Sequence, residues 1–437
     1  MALPRPSCPT LPASSGIAAG EAGDKVTRRR FFTAGLGPFL MAAELGAAVG
    51  DARSQSIQNA LSGIESECRK GGNGDWHKYY HAAAPVQKEL NDRVAEAFQH
   101  PRPSRVRPGN LALLRSRNEP LRFTTAGDCL HACRYDFQHP GQPLATEDWI
   151  RSMRMVAQIT ALSNWLKSRG TDLILVPVPR VVELYPSAFL ATDIPPSGVI
   201  APHLRYVTAE LLRANVEVFD LFPRLKAVAD NAEVPLYLAT DSHWTDVAQR
   251  ITAQLLAKHL IRYPFAQSAR QAPALYKVRP AEFRFGGYFY EYLTAPELAQ
   301  TRASMTQPIE EVITPSGQPF AASSKAPLML VGDSFTSFAL QAIGREQSGE
   351  AAALRKTNDP FAEFRLPPGS GIAAYLAREL NVKVSHRSML GATLEPFRDL
   401  FREPELLGGA QALVWIVNHY SLFRPDAYPP TFRTPAG

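Results

Sequence analysis

The sequence predicts an α/β domain in which a mostly parallel sheet carries helices on both faces, in a three-layer arrangement. Short, continuous apolar runs such as 173–178 (Leu-Ile-Leu-Val-Pro-Val) are typical of strands that are covered on both sides. These runs alternate along the chain with segments that have a helical spacing of apolar residues, which is the pattern of a parallel sheet. With 437 residues, the chain is long enough to bury a large core.

The predicted elements can be followed in order from about residue 150. Apolar residues at helical spacing over 150–166 are followed by Gly170, a typical C-terminal stop. Thr245 is the expected N-cap of a helix that runs to about residue 259, with Asp246 in its first turn. The other predicted helices cover 203–214, 335–343, 372–380 and 394–401, and the predicted strands cover 173–178, 216–220, 327–331, 382–385 and 412–417.

Composition suggests four segments along the chain. They are a leader at 1–52, an irregular and proline-broken region at 53–149, the α/β domain at 150–423 and a tail at 424–437. Residues 261–326 interrupt the alternation and are dense in aromatic residues, which predicts an insertion or cap near the site. No function is assigned to the region at 53–149.

The N-terminal segment predicts export. Arg28, Arg29 and Arg30 precede an apolar segment rich in small residues, and Ala47 and Ala48 then suit a signal-peptidase site. This pattern is typical of a twin-arginine signal. An uncleaved anchor in the inner membrane is the alternative, although the many Ala and Gly residues make a poor membrane span.

Charge and cysteine content exclude some classes of protein. The net charge is +6, from 47 basic and 41 acidic residues, and the basic residues form no aromatic-studded stripe, so no nucleic-acid partner is expected. Cleavage of the leader would leave Cys68, Cys129 and Cys133, an odd number that excludes a fully paired framework. Cys129, His131 and Cys133 lack a second ligand cluster, so a structural or disulfide role is favoured and neither a metal nor a cofactor is expected.

The most informative motif is Gly332-Asp333-Ser334 at the end of an apolar run. A buried strand that stops at a tight glycine turn presents the next side chain at the carboxyl edge of the sheet. Ser334 would begin a helix, where backbone N–H groups can stabilise an oxyanion. Alternatively, Asp333 or Ser334 simply caps the following helix.

A serine nucleophile needs a base that a third group orients, and Asp241 and His243 offer such a pair. On extended backbone, the carboxylate could meet one ring nitrogen of His243 and turn the other toward the serine. Both could equally be exposed loop residues. Trp244 could form a wall of the site or could pack in the core.

Other histidines compete for the role of base. His203, His386 and His419 have no acidic residue at comparable spacing, and His419 is the strongest rival because it lies beside Asn418 at a strand end. More broadly, polar residues follow the strands at Arg180 and Asn418, as expected for a site at the carboxyl edge of a parallel sheet.

Four short segments carry a family resemblance. They read Pro-Val-Pro-Arg at 177–180, Asp-Leu at 220–221, Thr-Asp-Ser-His-Trp-Thr at 240–245 and Val-Gly-Asp-Ser-Phe at 331–335. In this order they resemble the AlgJ/AlgX group of alginate O-acetyltransferases, which belongs to the SGNH hydrolase-like superfamily. The resemblance covers approximately residues 150–420. In this group the Asp-x-His element precedes the serine motif, the reverse of ordinary SGNH hydrolases.

The resemblance implies a catalytic triad and its surroundings. Ser334 would be the nucleophile, His243 the base and Asp241 the residue that orients it. Trp244 and Arg180 are candidate substrate-binding residues, and Arg180 stands where relatives commonly carry Lys. Asn418 is a candidate additional oxyanion donor.

The resemblance also implies a setting: a periplasmic enzyme that acetylates an exported polysaccharide. A membrane-bound O-acyltransferase would supply the acetyl group, and the exopolysaccharide synthesis and secretion machinery would be the further partner. Two other functions stay open at this point. They are a carbohydrate acetylesterase with the same triad, and a non-catalytic polysaccharide-binding scaffold.

Overall fold

The computed structural model describes ten stretches of the chain. They are residues 49–99, 121–123, 129–131, 146–186, 190–231, 235–238, 243–284, 306–337, 369–389 and 393–423. The predicted leader lies outside these stretches up to residue 48, as does the tail at 424–437.

The strands fall into a central sheet and two hairpins. They are β1 (Leu121–Phe123), β2 (Cys129–His131), β3 (Asp172–Val178), β4 (Glu217–Val218), β5 (Lys277–Arg284), β6 (Thr306–Ile313), β7 (Leu328–Gly332), β8 (Val384–Ser388) and β9 (Ala412–Asn418).

The helices precede, separate and follow these strands. They are α1 (Val49–Gly72), α2 (Trp76–Gln99), α3 (Thr146–Lys167), α4 (Val181–Leu184), α5 (Pro202–Arg213), α6 (Phe222–Ala229), α7 (Asp246–Leu260), α8 (Pro264–Ala269), α9 (Ser334–Ser337), α10 (Ile372–Leu380), α11 (Glu395–Arg402), a 3₁₀ turn (Pro404–Leu407) and α12 (His419–Phe423).

The central sheet has five strands in the order β4-β3-β9-β7-β8, and every pairing within it is parallel. In register, Val178 of β3 lies opposite Asn418 of β9, and Gly332 of β7 lies opposite Ile416 of the same strand. The carboxyl ends of the three inner strands therefore meet at one edge of the sheet. The predicted α/β architecture with a parallel sheet and helices on both faces is confirmed.

Two apolar layers cover the faces of the sheet. Leu330 and Ile416 pack with Trp244 and Phe335 on one face, which we call the α7 face because α7 and α10 cover it. The strand residues that alternate with these, such as Trp415, point to the other face. There they pack with α3, α5, α11 and α12, and we call this the α12 face. Alternation of side chains along each strand explains this division.

Most predicted elements are confirmed within one or two residues. Thr245 does cap α7, because its hydroxyl accepts a hydrogen bond from the N–H of Ala248 at 3.3 Å. The predicted helix at 372–380 has the observed bounds of α10. Five predicted strands correspond to β3, β4, β7, β8 and β9.

The expectation of an irregular region at 53–149 is wrong for its first part, because α1 and α2 are long helices. Ile57 and Ile64 bury the apolar side of α1 in the core of the α/β domain. Arg53 also donates to Asp172 at 2.8 Å and to the carbonyl of Asn215 at 3.1 Å, near the amino ends of β3 and β4. The helix α1 thus packs on the α/β domain and is tied to its sheet near the start of the helix.

The predicted insertion at 261–326 contains α8 and the antiparallel hairpin of β5 and β6, which is separate from the central sheet. Its aromatic cluster at 285–292 lies outside the described residues. In the part of the chain that the structure describes, no helix has the length and apolar character needed to cross a membrane.

Candidate active site

Ser334 follows the end of β7 at the carboxyl edge of the sheet and begins α9. A side chain at Gly332 would collide with the turn, because a Cβ there would lie 2.5 Å from the carbonyl oxygen of Ile416 and 2.4 Å from Thr336 Cγ2. Glycine therefore allows β7 and β9 to approach closely just before Ser334. Ser334 is partly exposed, whereas Asp333 and Phe335 on either side are buried.

Asp333 is fully buried and anchors the serine turn. Its Oδ1 accepts the N–H of Phe335 at 2.9 Å, and its Oδ2 accepts both the N–H and the Nδ2–H of Asn418, at 2.8 and 2.6 Å. Burial raises the pKa of Asp333, and hydrogen bonds from Asn418, Phe335 and Ser421 oppose that rise. The carboxylate thus fixes the backbone beside Ser334 to the end of β9.

Asn418 is committed to contacts inside the protein. Its Nδ2 donates to Asp333 and also to Ser421 Oγ at 3.1 Å, and its Oδ1 accepts the N–H of Ser421 at 2.8 Å. Both amide hydrogens are therefore used in this arrangement. We accordingly assign Asn418 to holding Asp333, because an oxyanion role would require it to release one of these partners.

His243 lies beside the serine turn. Its ring centroid is 4.8 Å from that of Phe335, the residue after Ser334. A positive charge on His243 would lower the pKa of Asp333, so the two side chains lie close enough to interact. Two chain segments that are 91 positions apart, those of Trp244 and Phe335, are thereby brought together at the edge of the sheet.

Trp244 does not line an open site, because its exposed fraction is 0%. Its Nε1 donates to the carbonyl oxygen of Phe335 at 3.0 Å, and the two rings meet edge to face at 5.6 Å. Because the ring is buried, Trp244 is not placed to contact substrate, contrary to expectation. The side chain instead joins the histidine segment to the serine segment.

Arg180 lies just beyond β3 and is also buried. Its Nε donates to Glu183 Oε2 at 3.2 Å, and the same oxygen accepts the Arg180 backbone N–H at 2.7 Å. This pair closes the first turn of α4. We assign Arg180 to ordering the loop after β3, and a direct contact with substrate stays a prediction.

The rival histidines are placed elsewhere. His419 stacks on Phe423 at 4.6 Å, and His203 contacts the same ring at 4.8 Å while its Nε2 is 2.8 Å from Ser152 Oγ. Phe423 belongs to the α12 face, whereas Phe335 belongs to the α7 face. The sheet therefore separates these two histidines from the cluster around Phe335.

His386 also lies away from the serine turn. It is within β8, opposite Leu330, four residues before Ser334 along the neighbouring strand. Burial lowers the pKa of His386 to about 4, so its ring is neutral near neutral pH. Among the four candidates, His243 is the one with a ring contact to a residue adjacent to Ser334.

The structure thus brings His243, Trp244 and Asn418 together at the two residues that flank Ser334, Asp333 and Phe335. Asp241 lies outside the described residues, so its role stays a prediction. Sequence reasoning missed the function of Asp333 as an anchor. The sequence did contain a signal for this role: an acidic residue directly after a buried strand needs several hydrogen-bond donors if it is buried as well. Within the described stretches, no group of three or more potential ligands is placed to hold a metal ion.

Comparisons with known proteins indicate the class of this domain. Residues 144–353 match the family model described as an SGNH hydrolase-like domain, acetyltransferase AlgX. The fold and the match define the class as an SGNH hydrolase-like α/β domain. More specifically, residues 144–353 are similar to the AlgJ/AlgX-like family, the group that the sequence resembles.

Two curated relatives are both named "Probable alginate O-acetylase AlgJ". The protein from Pseudomonas putida is 26% identical over 219 residues, which are 45% of this chain and 55% of the relative. The protein from Pseudomonas syringae pv. tomato is 30% identical over 101 residues, which are 23% of this chain and 25% of the relative. The chain thus spans about half or less of the length of these relatives.

Among solved structures, the O-acetyltransferase domain of Pseudomonas putida AlgJ aligns with a TM-score of 0.45 and 18% identity, covering 66% of this chain and 90% of that domain. Pseudomonas aeruginosa AlgX aligns with a TM-score of 0.41 and 17% identity, covering 63% of this chain and 59% of that protein.

Proposed function

We propose that this chain is an O-acetyltransferase that moves an acetyl group, through a serine nucleophile, to a hydroxyl of an exported polysaccharide such as an alginate-like polymer. One observation carries the proposal: the His243 ring lies against Phe335, directly after Ser334 at the carboxyl edge of the sheet. A base beside a serine at this position suits acyl transfer. The family match at 144–353 supports the same chemistry.

The first step forms an acetyl-enzyme. His243 takes the hydroxyl proton of Ser334 while the serine oxygen attacks the carbonyl carbon of an acetyl donor. Asp241 orients the imidazole and stabilises it when it is protonated. The leaving group departs with that proton. The backbone N–H groups of Phe335 and Thr336 are already donated to Asp333, so we assign the N–H of Ser334 as the first oxyanion donor.

The second step returns the enzyme to its starting state. A sugar hydroxyl gives its proton to His243 and attacks the acetyl carbon, which releases Ser334 and leaves an acetylated sugar. Water in the same position would release free acetate, as an esterase does. Exclusion of water in favour of the sugar therefore decides between the two activities.

The source of the acetyl group determines which partners the enzyme needs. Because acetyl-CoA is a cytoplasmic metabolite, an exported enzyme needs its acetyl group to be carried across the membrane. We propose a membrane-bound O-acyltransferase as that supplier and the exopolysaccharide synthesis and secretion machinery as the further partner. The arginines at 28–30 support periplasmic localisation through the twin-arginine pathway.

Product analysis tests the proposed activity. The purified protein is given a chemically activated acetyl ester and uronate-containing oligosaccharides, and both acetylated sugar and free acetate are measured. We expect acetylated sugar from the wild type and neither product above background from Ser334→Ala. Ser316→Ala, in the exposed turn that follows β6, is the matched control and should match the wild type. Free acetate alone would contradict the transferase and favour the esterase.

Cell fractionation tests the proposed location. Replacing the three arginines at 28–30 with Lys should keep the protein in the cytoplasm and remove acetyl groups from the polymer, while the purified variant stays active. A wild-type chain that is recovered from the cytoplasm would contradict the export proposal.

A further inference from the structure

Trp244 links the segment of the proposed base to the segment of the proposed nucleophile. Its indole N–H donates to the carbonyl oxygen of Phe335 at 3.0 Å, and its ring packs against the Phe335 ring at an angle of 66°. Both side chains are buried, so water does not compete for this hydrogen bond. The position of His243, which precedes Trp244, is thereby coupled to that of Ser334, which precedes Phe335.

The backbone of the histidine segment is held from its other side by a short antiparallel bridge. Tyr237 pairs with Trp244 in this bridge. The N–H of Leu238 donates to the carbonyl of His243 at 3.0 Å, and the N–H of Thr245 donates to the carbonyl of Leu236 at 2.9 Å. These bonds fix the backbone on both sides of the bridged pair, so the backbone of His243 cannot shift without breaking one of them.

Tyr237 in turn ties the bridge to the sheet. Its hydroxyl donates to the carbonyl oxygen of Pro179, the residue that directly follows β3. The strand β3 lies beside β9, and β9 holds Asp333 through Asn418. The histidine segment and the serine segment are therefore both attached to the same edge of the sheet. The histidine and the serine therefore share one rigid frame.

We propose that Trp244 and Tyr237 form a positioning clamp, which sets the distance between His243 and Ser334 without touching substrate. This inference rests on the proposed acyltransferase function, because it concerns the same site. Proton transfer between nucleophile and base depends steeply on their separation, and a displacement of about 1 Å can cost about 100-fold in rate. The clamp accordingly acts on kcat and on the reactivity of the serine, whereas binding of the acetyl donor does not depend on it.

The test compares two buried tryptophans that lose the same atoms. Trp244→Phe removes the donor to Phe335, while Trp415→Phe alters a fully buried ring in β9 that packs on Phe397 at 5.0 Å. Within the described residues, the Trp415 Nε1 has no hydrogen-bond partner. Both variants should lower Tm, so Trp415→Phe controls for the loss of packing.

We expect Trp244→Phe to lower kcat by about 10- to 100-fold with an unchanged KM for the acetyl donor. The rate at which a fluorophosphonate probe labels Ser334 should fall by a similar factor. Trp415→Phe should keep kcat and the labelling rate near the wild type. Tyr237→Phe, which removes only a hydroxyl, should lower kcat by a smaller factor and leave KM unchanged.

The outcomes separate this inference from the proposed function. Acetyl transfer that persists in Ser334→Ala overturns the function. If Ser334→Ala is inactive but Trp244→Phe and Tyr237→Phe lose no more kcat than Trp415→Phe, the clamp is overturned and the function stands. Should Trp244→Phe not fold, Tyr237→Phe decides the matter, and a wild-type kcat in that variant contradicts the clamp.

Discussion

Replacing Asn418 with Ala removes the side chain that holds the buried carboxylate of Asp333. The Nδ2–H bond to Asp333 at 2.6 Å is charge-assisted and contributes about 1.5–3 kcal/mol, and the bond from the Ser421 N–H to Asn418 Oδ1 contributes about 1 kcal/mol. We therefore expect Asn418→Ala to lower the free energy of unfolding by about 3 kcal/mol at a pH where Asp333 is ionised.

This loss should depend on pH in a definite direction. Burial already raises the pKa of Asp333, and removing the Asn418 amide raises it further, because the lost bond favoured the charged form. The folded variant therefore holds its proton up to a higher pH than the wild type. The difference in stability between the two proteins is largest above the pKa that Asp333 has in either folded protein. It shrinks as the pH falls and Asp333 becomes neutral.

Urea unfolding followed by tryptophan fluorescence measures this effect, with both proteins compared near pH 8 and near pH 5. A double-mutant cycle with Asp333→Asn isolates the coupling between the two side chains. Asn231→Ala, an exposed asparagine that donates to the carbonyl of Ala227, is the surface control and should change stability by less than about 0.5 kcal/mol. A loss for Asn418→Ala below about 1 kcal/mol that is equal at both pH values would refute the assigned role.

Three further predictions concern other parts of the domain. In the wild type, burial holds the pKa of His386 near 4, whereas the ring titrates near 6.5 in the unfolded chain, so lowering the pH from about 7.5 to 5 should cost about 2 kcal/mol of stability. His386→Leu should remove this loss, and urea unfolding at both pH values checks it. Gly332→Ala should lower the free energy of unfolding by about 1–3 kcal/mol and also lower kcat, because the new Cβ would lie 2.5 Å from the carbonyl oxygen of Ile416; an unchanged kcat would contradict the close approach. Arg205→Met should cost about 3–5 kcal/mol of unfolding free energy, because it leaves the carboxylates of Glu67 in α1 and Asp220 after β4 without their partner at 2.8 and 2.7 Å; a Tm equal to the wild type would show that Arg205 does not hold these two segments together.

The central sheet could be predicted because its signals are local. The apolar runs at 173–178 and 412–417 are continuous, so they indicate strands that are buried on both faces, and Thr245 marks a helix start by its own side chain. By contrast, α1 buries Ile57, Ile64 and Cys68 along a narrow stripe in an otherwise polar sequence. That sparse pattern led to the wrong prediction of an irregular region.

In the candidate site, too, local motifs can be predicted and contacts between distant parts of the chain cannot. The serine turn and the Asp-x-His pair can be recognised as short motifs. The role of Trp244 depends on the carbonyl of Phe335, and the role of Asn418 depends on the carboxylate of Asp333, each far away along the chain. Such contacts are set by the order of strands in the sheet, so a single sequence does not specify them.

Identification of the acetylated residue tests whether Ser334 carries the acetyl group during transfer. The protein is mixed with an activated acetyl ester, quenched in acid, digested and analysed by mass spectrometry, with and without an oligosaccharide chase. We expect one acetyl group on Ser334 that disappears during the chase as acetylated sugar forms, and slower acetylation in His243→Ala. Acetyl found on another side chain, or acetyl on Ser334 that the oligosaccharide does not remove, would contradict it.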